Sequence, residues 1–247
     1  MRYCVRNGRG DSSENQVAVM ESMIVTKNLT KIYKTKSARV NALNNANIEI
    51  GKGEFVAIVG TSGSGKSTLL SLLAGLEKPT AGKIFIKGQA IHRMPENKLV
   101  DFRLKHVGFI FQSFNLFPEM TALENAAFSL NCKGISKMAR HTVAKQALLD
   151  MGLKQHLTHK PDELSGGQQQ RVAIVRAILS KPELVFADEP TGNLDTKTSA
   201  YVIELLRSLV KSEGSTLIMV THDIEKAKYA DRIIRIEDGV VSEKDIS

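Results

Sequence analysis

One nine-residue stretch constrains this chain more than any other. It is "GTSGSGKST", residues 60–68, set between the apolar run "EFVAIV" and the helix-like "STLLSLLAGL". A strand that turns through glycines straight into a helix leaves the first helical N–H groups unpaired and pointing into the loop. Glycine lets the backbone curl there, and the helix dipole favours an anion at that end. The residues fit G-x-x-x-x-G-K-[ST], so Gly60, Thr61, Ser62, Gly63, Ser64, Gly65, Lys66, Ser67 and Thr68 are expected to cradle a nucleoside triphosphate. In that pattern Lys66 bridges the β- and γ-phosphates and Ser67 ligates Mg2+.

Such a loop needs a second element, an acid at the end of a buried strand. "ELVFADEP", residues 183–190, supplies it. Four apolar residues run into Asp188, which suits Mg2+, and Glu189 follows, placed to take a proton from a water attacking the γ-phosphate.

The rest of the chain is patterned to match. "MIVTKNL", "NALNNANIEI", "EFVAIVG" and "GKIFIKGQAI" are short, turn-bounded runs that predict a small antiparallel sheet near the N-terminus. "VGFIF", "ELVFAD", "STLIMVTH" and "RIIRI" are continuous and alternate with helical stretches, as buried parallel strands do. Val202, Leu205, Leu206 and Leu209 recur at helical spacing. Between about Gln112 and Leu164 the strands stop, and "KMARHTVAKQALLDMG" reads as a helix closed by Gly152. Residues 1–22 read as disordered or as a start-site extension, with Met20 and Met23 both ahead of the first strand. The chain stops at residue 247 just after its last strand, so no appended regulatory domain is expected.

Composition excludes several classes. Cys4 and Cys132 form no CxxC pair and are expected to be reduced thiols of a cytosolic protein. No run approaches the ~18 apolar residues of a membrane span, and the first 22 residues lack a signal-peptide core. The 34 basic residues against 26 acidic ones give a net charge of +8, yet no two Lys or Arg are adjacent. This spread-out excess fits a surface facing an anionic membrane as well as it fits DNA.

"LSGGQQQR", residues 164–171, opens an apolar helix with two glycines, which cost about 1 kcal/mol each in a helix interior. With "LSGGQ" ahead of "LVFADEP", then "NLD", then "VTHD", the chain resembles the ATP-binding subunit of an ABC transporter over about residues 23–247. "FADEPTGNLD" and "VGFIFQSFNLFPEMTALENA" are similar to the lipoprotein-release, macrolide-export and cell-division branch. The resemblance implies an α/β P-loop NTPase of ABC type. It would have a mostly parallel core sheet with helices, an N-terminal antiparallel β subdomain and an inserted α-helical subdomain at about residues 112–165.

The resemblance also implies roles. ATP and Mg2+ are the cofactors, with Ser67, Gln112 and Asp188 toward the metal. Tyr33 matches the aromatic that stacks on adenine, Gln112 the residue linking metal and water to the helical insertion, and His222 the switch histidine at the γ-phosphate. Asp195, in "NLD", joins the nucleotide set. Ser165, Gly166, Gly167 and Gln168 would meet the ATP held by a second copy of the chain, the glycines leaving room for the γ-phosphate. His92, His106, His141, His156 and His159 match nothing and read as ordinary.

As a whole, the resemblance implies an ATP-hydrolysing motor on the inner face of the membrane, driving separate transmembrane permease subunits. Export or extraction of a hydrophobic or peptide-like substrate is expected, and no direct nucleic-acid binding. The segment around Phe114, Leu116, Phe117, Pro118 and Leu123 is expected to offer the groove where a permease helix docks. The alternative is the ATPase of a membrane signalling complex that regulates cell-wall hydrolases. A DNA-repair or chromosome ATPase would need a long coiled coil or zinc modules between Lys66 and Ser165, and there is room for neither. A translation-factor ATPase would need two such domains.

Overall fold

A computed structural model describes residues 22–34 and 39–243. The leading segment 1–22 lies outside them except for Ser22, which opens the first strand, and Cys4 lies outside them too. Strand β1 (Ser22–Lys34) pairs antiparallel with β2 (Arg39–Ala46), β3 (Glu49–Gly51) and β5 (Ala81–Ile86), and β6 (Gln89–Ala90) pairs with β5. "NALNNANIEI" therefore makes two strands. Asn45, at φ +49°, lies within β2 one residue before its end, and residues 47–48 join the two strands.

The structure departs from the sequence expectation at one strand. "EFVAIV" does not join the antiparallel strands. As β4 (Phe55–Val59) it lies inside a second sheet with order β11-β10-β4-β9-β8-β7. There β7 (Val107–Ile110), β8 (Leu184–Asp188), β9 (Thr216–Thr221) and β10 (Arg232–Glu237) run parallel with it, while β11 (Val240–Glu243) returns antiparallel along β10. All five residues of β4 are buried. A short apolar run states that both its faces are covered, but not which sheet it joins.

The covering follows the two-residue period of a strand. Val56 and Ile58 face helix α1 (Lys66–Leu73) and the antiparallel sheet, packing with Leu69, Leu72, Ile24 and Ile84. Phe55, Ala57 and Val59 face the opposite side, against α5 (Gly166–Ile178) and α6 (Thr196–Glu213) through Val172, Val175, Val202 and Leu206. Of the apolar series on α6, Val202 and Leu206 are buried and Leu205 is half-buried, while the Leu209 side chain lies outside the described residues.

Helix α2 (Glu96–His106) leads into β7. Between β7 and β8 come α3 (Ala122–Cys132), α4 (Lys137–Asp150) and α5, with no strand. Helix α3 starts on a reciprocal cap: Thr121 Oγ1 accepts from Glu124 N–H at 3.2 Å, and Glu124 Oε2 accepts from Thr121 N–H at 3.0 Å. Gly152, at φ +72°, follows the end of α4.

Because β4, β7, β8 and β9 are parallel, their carboxyl ends share one edge. Residues 60–68, Gln112, Asp188–Glu189 and His222 all follow those ends, where ligands of open α/β sheets bind.

Candidate active site

The phosphate loop is shaped by glycines the fold cannot replace. A Cβ at Gly60 would stand 2.2 Å from the Ile236 carbonyl oxygen. At Gly65, where φ is +105°, a Cβ would stand 2.1 Å from the Ala42 carbonyl oxygen. Lys66 is buried and its Nζ donates to the Thr61 carbonyl at 2.7 Å, so the ammonium lies folded over the loop. Ser64 Oγ is buried without a hydrogen-bond partner among the described residues. An unpaired hydroxyl inside a curl of backbone is a group in want of an anion.

The acids of β8 stand beside it. Ser67 Oγ donates to Asp188 Oδ1 at 3.2 Å, although 121 positions separate them. Burial pushes the Asp188 carboxyl up from its ordinary value, Glu189 adds to this, and the Ser67 hydrogen bond and Lys66 oppose it. Glu189 sits at φ +47°, a conformation costing a non-glycine residue about 1–2 kcal/mol. It is held there by its own N–H on the Val220 carbonyl at 3.0 Å and by Gly192 N–H on its carbonyl at 3.1 Å. Glu189 Oε1 accepts from His222 N–H at 2.9 Å and faces His222 Nδ1 at 2.7 Å. The His222 side chain itself is 72% exposed.

Tyr33 stands beside the loop's helix, meeting Thr68 of its first turn and Glu77 beyond its end. Its hydroxyl donates to the Glu77 carboxylate, 2.8 and 2.9 Å from the two oxygens, and Lys31 Nζ stands 4.9 Å from its ring centroid. Burial and the Glu77 carboxylate raise the Tyr33 phenol, which Thr68 opposes. Burial alone would raise Glu77, but Lys31 and Tyr33 outweigh it and hold its carboxyl below the ordinary range.

The "LSGGQ" residues form the start of α5. Ser165 Oγ accepts from Gln168 N–H at 3.4 Å, and Gln168 Oε1 accepts from Ser165 N–H at 2.8 Å. Serine and glutamine thus serve the helix cap, while the Gly166 and Gly167 amides stay in the unpaired first turn. Neither glycine has a positive φ. A Cβ at Gly166 would meet nothing nearer than Phe114 Cζ at 3.8 Å, and one at Gly167 would meet Leu194 Cδ2 at 3.4 Å and the Asn193 carbonyl oxygen at 3.5 Å, both ordinary contacts. Unlike Gly60 and Gly65, these two are not demanded by the chain's own fold. Among the described residues no hydrogen bond joins residues 165–168 to the phosphate loop; Gln168 Nε2 instead contacts His156 Nε2 at 3.0 Å. That gives His156, read from sequence as ordinary, a place beside this motif.

Asp195 caps α6, its Oδ1 accepting from Thr198 N–H at 3.0 Å, and hydrogen bonds from the Thr198 hydroxyl first and its N–H second hold the carboxyl below the usual range. Gln112 is exposed at the end of β7 and makes no side-chain hydrogen bond among the described residues. Two residues that organise its loop were passed over in the sequence. Asn125 is buried, accepts from Phe117 N–H at 2.8 Å and donates to the Phe117 and Met120 carbonyls at 3.0 Å. Arg176 is buried and donates to the Phe114 and Asn115 carbonyls. Both were visible as polar residues on apolar faces, in "ENAAF" and "VAIVRAIL".

The residues fit ATP and Mg2+. The loop supplies free donors, and Ser67 with Asp188 supplies hard oxygens of the kind Mg2+ takes together with substrate phosphates. Among the described residues no group of three or more His, Cys, Asp or Glu could form an all-protein metal cage. No helix among them is long and apolar enough to cross a membrane.

Comparison with known proteins agrees with this geometry. The ABC transporter family model matches residues 43–192. An uncharacterised ABC transporter ATP-binding protein of Methanocaldococcus jannaschii is 48% identical over 221 residues, covering 90% of this chain and 98% of its own. The lipoprotein-releasing system ATP-binding protein LolD of Geobacter metallireducens is 44% identical over 222 residues, covering 90% and 99%. Among solved structures, a dimeric form of the M. jannaschii cassette MJ0796 superposes with a TM-score of 0.87 at 44% identity, covering 90% of this chain and 97% of that one. A dimeric post-hydrolysis state of the same cassette, bound to ADP and Pi, gives 0.86 at 42% identity, covering 90% and 98%. With its phosphate loop, strand-end acids and glycine-opened helix in this arrangement, the chain belongs to the family of ABC transporter ATP-binding proteins and is an ATPase.

Proposed function

We propose that the chain works as a pair of identical subunits closing head to tail on two ATP molecules, and that opening and closing of the pair drives separate membrane permease subunits. The carrying observation is the contrast among the glycines. Gly60 and Gly65 are required by the chain's own backbone, whereas at Gly166 and Gly167 a Cβ would make only ordinary van der Waals contacts, so the chain's own fold does not demand the bare helix end they form. A helix N-terminus kept free of side chains suits a phosphate brought by another molecule.

In this reading Tyr33 stacks on the adenine, and residues 60–68 bind the phosphates with Lys66 on the β- and γ-groups. Ser67, Asp188 and Gln112 would hold Mg2+, which neutralises phosphate charge when bound. Glu189 is the general base. Two contacts from His222 occupy Oε1, and Oε2 is left to take a water proton. As the water oxygen bonds to the γ-phosphorus, the bond from phosphorus to the bridging oxygen breaks, leaving ADP and phosphate. His222 orients the carboxylate, and Asp195 acts from the cap of α6.

A cleft of about 410 Å3 beside β7 suits the permease. Phe109, Phe111, Phe117 and Phe128 line it with Asn115 and Arg176, and the Phe117 and Phe128 ring centroids are 4.4 Å apart. At 38% exposure Phe117 belongs to the cleft wall, not the core. An amphipathic helix could lie in such a groove. The subunit would then be peripheral on the cytoplasmic face of the membrane, with residues 23–247 as the ATPase domain. The lipoprotein-releasing relative favours export or extraction of a lipid-linked or peptide-like substrate.

Sedimentation of the Glu189→Gln protein with and without Mg-ATP tests the pairing. A monomer that becomes a dimer only with nucleotide is expected. A sedimentation coefficient indifferent to nucleotide would refute the composite site.

A further inference from the structure

The loop after Gln112 holds two consecutive residues in the left-handed region, Phe114 at φ +62° and Asn115 at φ +48°. Asparagine tolerates that conformation, but phenylalanine does not adopt it without outside constraint. The constraint comes from α5. Arg176 Nη1 donates to the Asn115 carbonyl at 2.6 Å, and Nη2 donates to the Phe114 carbonyl at 2.8 Å. The two arms of one rigid guanidinium therefore fix both peptide groups at once. Arg176 is 8% exposed and no ion pair to it is seen among the described residues. The guanidinium also stands over the Phe117 ring, whose centroid is 5.9 Å from its carbon. Burial lowers its pKa to about 10, the mark of a cation taken out of water without a carboxylate in return. Such a placement costs stability and needs a reason beyond packing.

The held turn touches the reaction on two sides. Gln112 lies two residues before Phe114. The Phe114 ring reaches the other way, its Cζ lying 3.8 Å from where a Cβ of Gly166 would be. One side chain on α5 thus connects that helix to the Gln112 loop and, through Phe117, to the wall of the cleft.

We propose that Arg176 is a positioning residue for ATP hydrolysis, holding the Phe114–Asn115 turn so that Gln112 and the Phe114 ring stand correctly on either side of the nucleotide sites. It acts through the loop and touches no nucleotide. The proposal rests on the reading that Gln112 serves the reaction.

The test uses the full chain and Mg-ATP turnover, with melting curves to count the folded fraction. Arg176→Met keeps length and apolar bulk and removes both donors. It is expected to lower kcat about tenfold per folded molecule, with KM within about twofold, because the phosphate loop is untouched. Arg176→Lys, with the charge but no fork, is expected to fall between. Adding Asn115→Gly to Arg176→Met is expected to restore kcat about threefold, since glycine enters the left-handed region at lower cost than asparagine and so eases the turn that Phe114 shares. A merely structural arginine predicts a lower Tm with normal kcat per folded molecule and no rescue by glycine, and that result overturns the proposal. If Arg176→Met does not fold, Arg176→Lys decides, and an unaltered kcat overturns it. Gln112→Ala separates the two readings. A lowered kcat there with normal Arg176→Met defeats only the proposal, whereas a normal kcat in Gln112→Ala defeats the reading of Gln112 itself.

Discussion

Gly166→Ala is predicted to stabilise the subunit while disabling it. A Cβ added there would have 3.8 Å to its nearest neighbour outside the helix, an ordinary van der Waals separation, and the position has no positive φ. Alanine gains up to about 1 kcal/mol over glycine in a helix interior and less in the first turn, so about 0.5 kcal/mol is expected. For a domain of this size that raises Tm by about 1–2 °C. Gly60→Ala is the contrast, because its Cβ would fall 2.2 Å from the Ile236 carbonyl oxygen. Backbone must shift to admit it, at a cost of about 3 kcal/mol and about 6–12 °C in Tm. Turnover should fall in both variants. In Gly166→Ala the loss is expected to be about a hundredfold, the usual effect of losing preorganised donors to a developing anion. The assays are melting without nucleotide, turnover at saturating Mg-ATP, and sedimentation in the Glu189→Gln background. A Gly166→Ala protein that melts several degrees low has glycine there for folding. One that hydrolyses ATP normally has no γ-phosphate at that helix end.

Three further outcomes are expected. Lys66→Ala should weaken nucleotide affinity about a hundredfold or more by equilibrium binding, since it removes the charge-assisted contact to the β- and γ-phosphates; unchanged affinity would contradict its place in the loop. Phe117→Asp should leave soluble ATP affinity within about twofold yet abolish pull-down of the membrane partner, because it buries a charge in the cleft once a helix is docked; if affinity and pull-down fall together, Phe117 is core. The Glu183 carboxyl is held below the ordinary range chiefly by its hydrogen bond from Lys87, with His106 assisting against burial. Its stabilising effect is therefore present above the unfolded carboxylate pKa of about 4.3 and is lost as pH falls through the lower folded value. Glu183→Gln should lose less Tm than the unaltered protein between pH 6 and pH 3, and identical slopes would count against the pairing.

Much of the candidate site was legible because it is local. A strand, a glycine turn and a helix start are consecutive in residues 55–68, so sequence alone determines that amides converge there. The capping pair Ser165 and Gln168, three apart, is equally local, and so is the strand that ends in Asp188 and Glu189. What sequence left open depends on partners far along the chain. The run "EFVAIV" is apolar enough for either sheet, and only its parallel pairing with β9 and β10 decided the matter. Ser67 meets Asp188 only because the loop and helix that follow β4 lie at the same edge of the parallel sheet as the end of β8. Arg176, in the middle of an apolar helix, looked like an exception until the fold set two left-handed carbonyls in front of it. All these glycines are the same letter in sequence. The tertiary structure separates those whose Cβ would strike the chain's own backbone from those where a Cβ would make only ordinary contacts, because steric demand is a property of the neighbours and not of the residue.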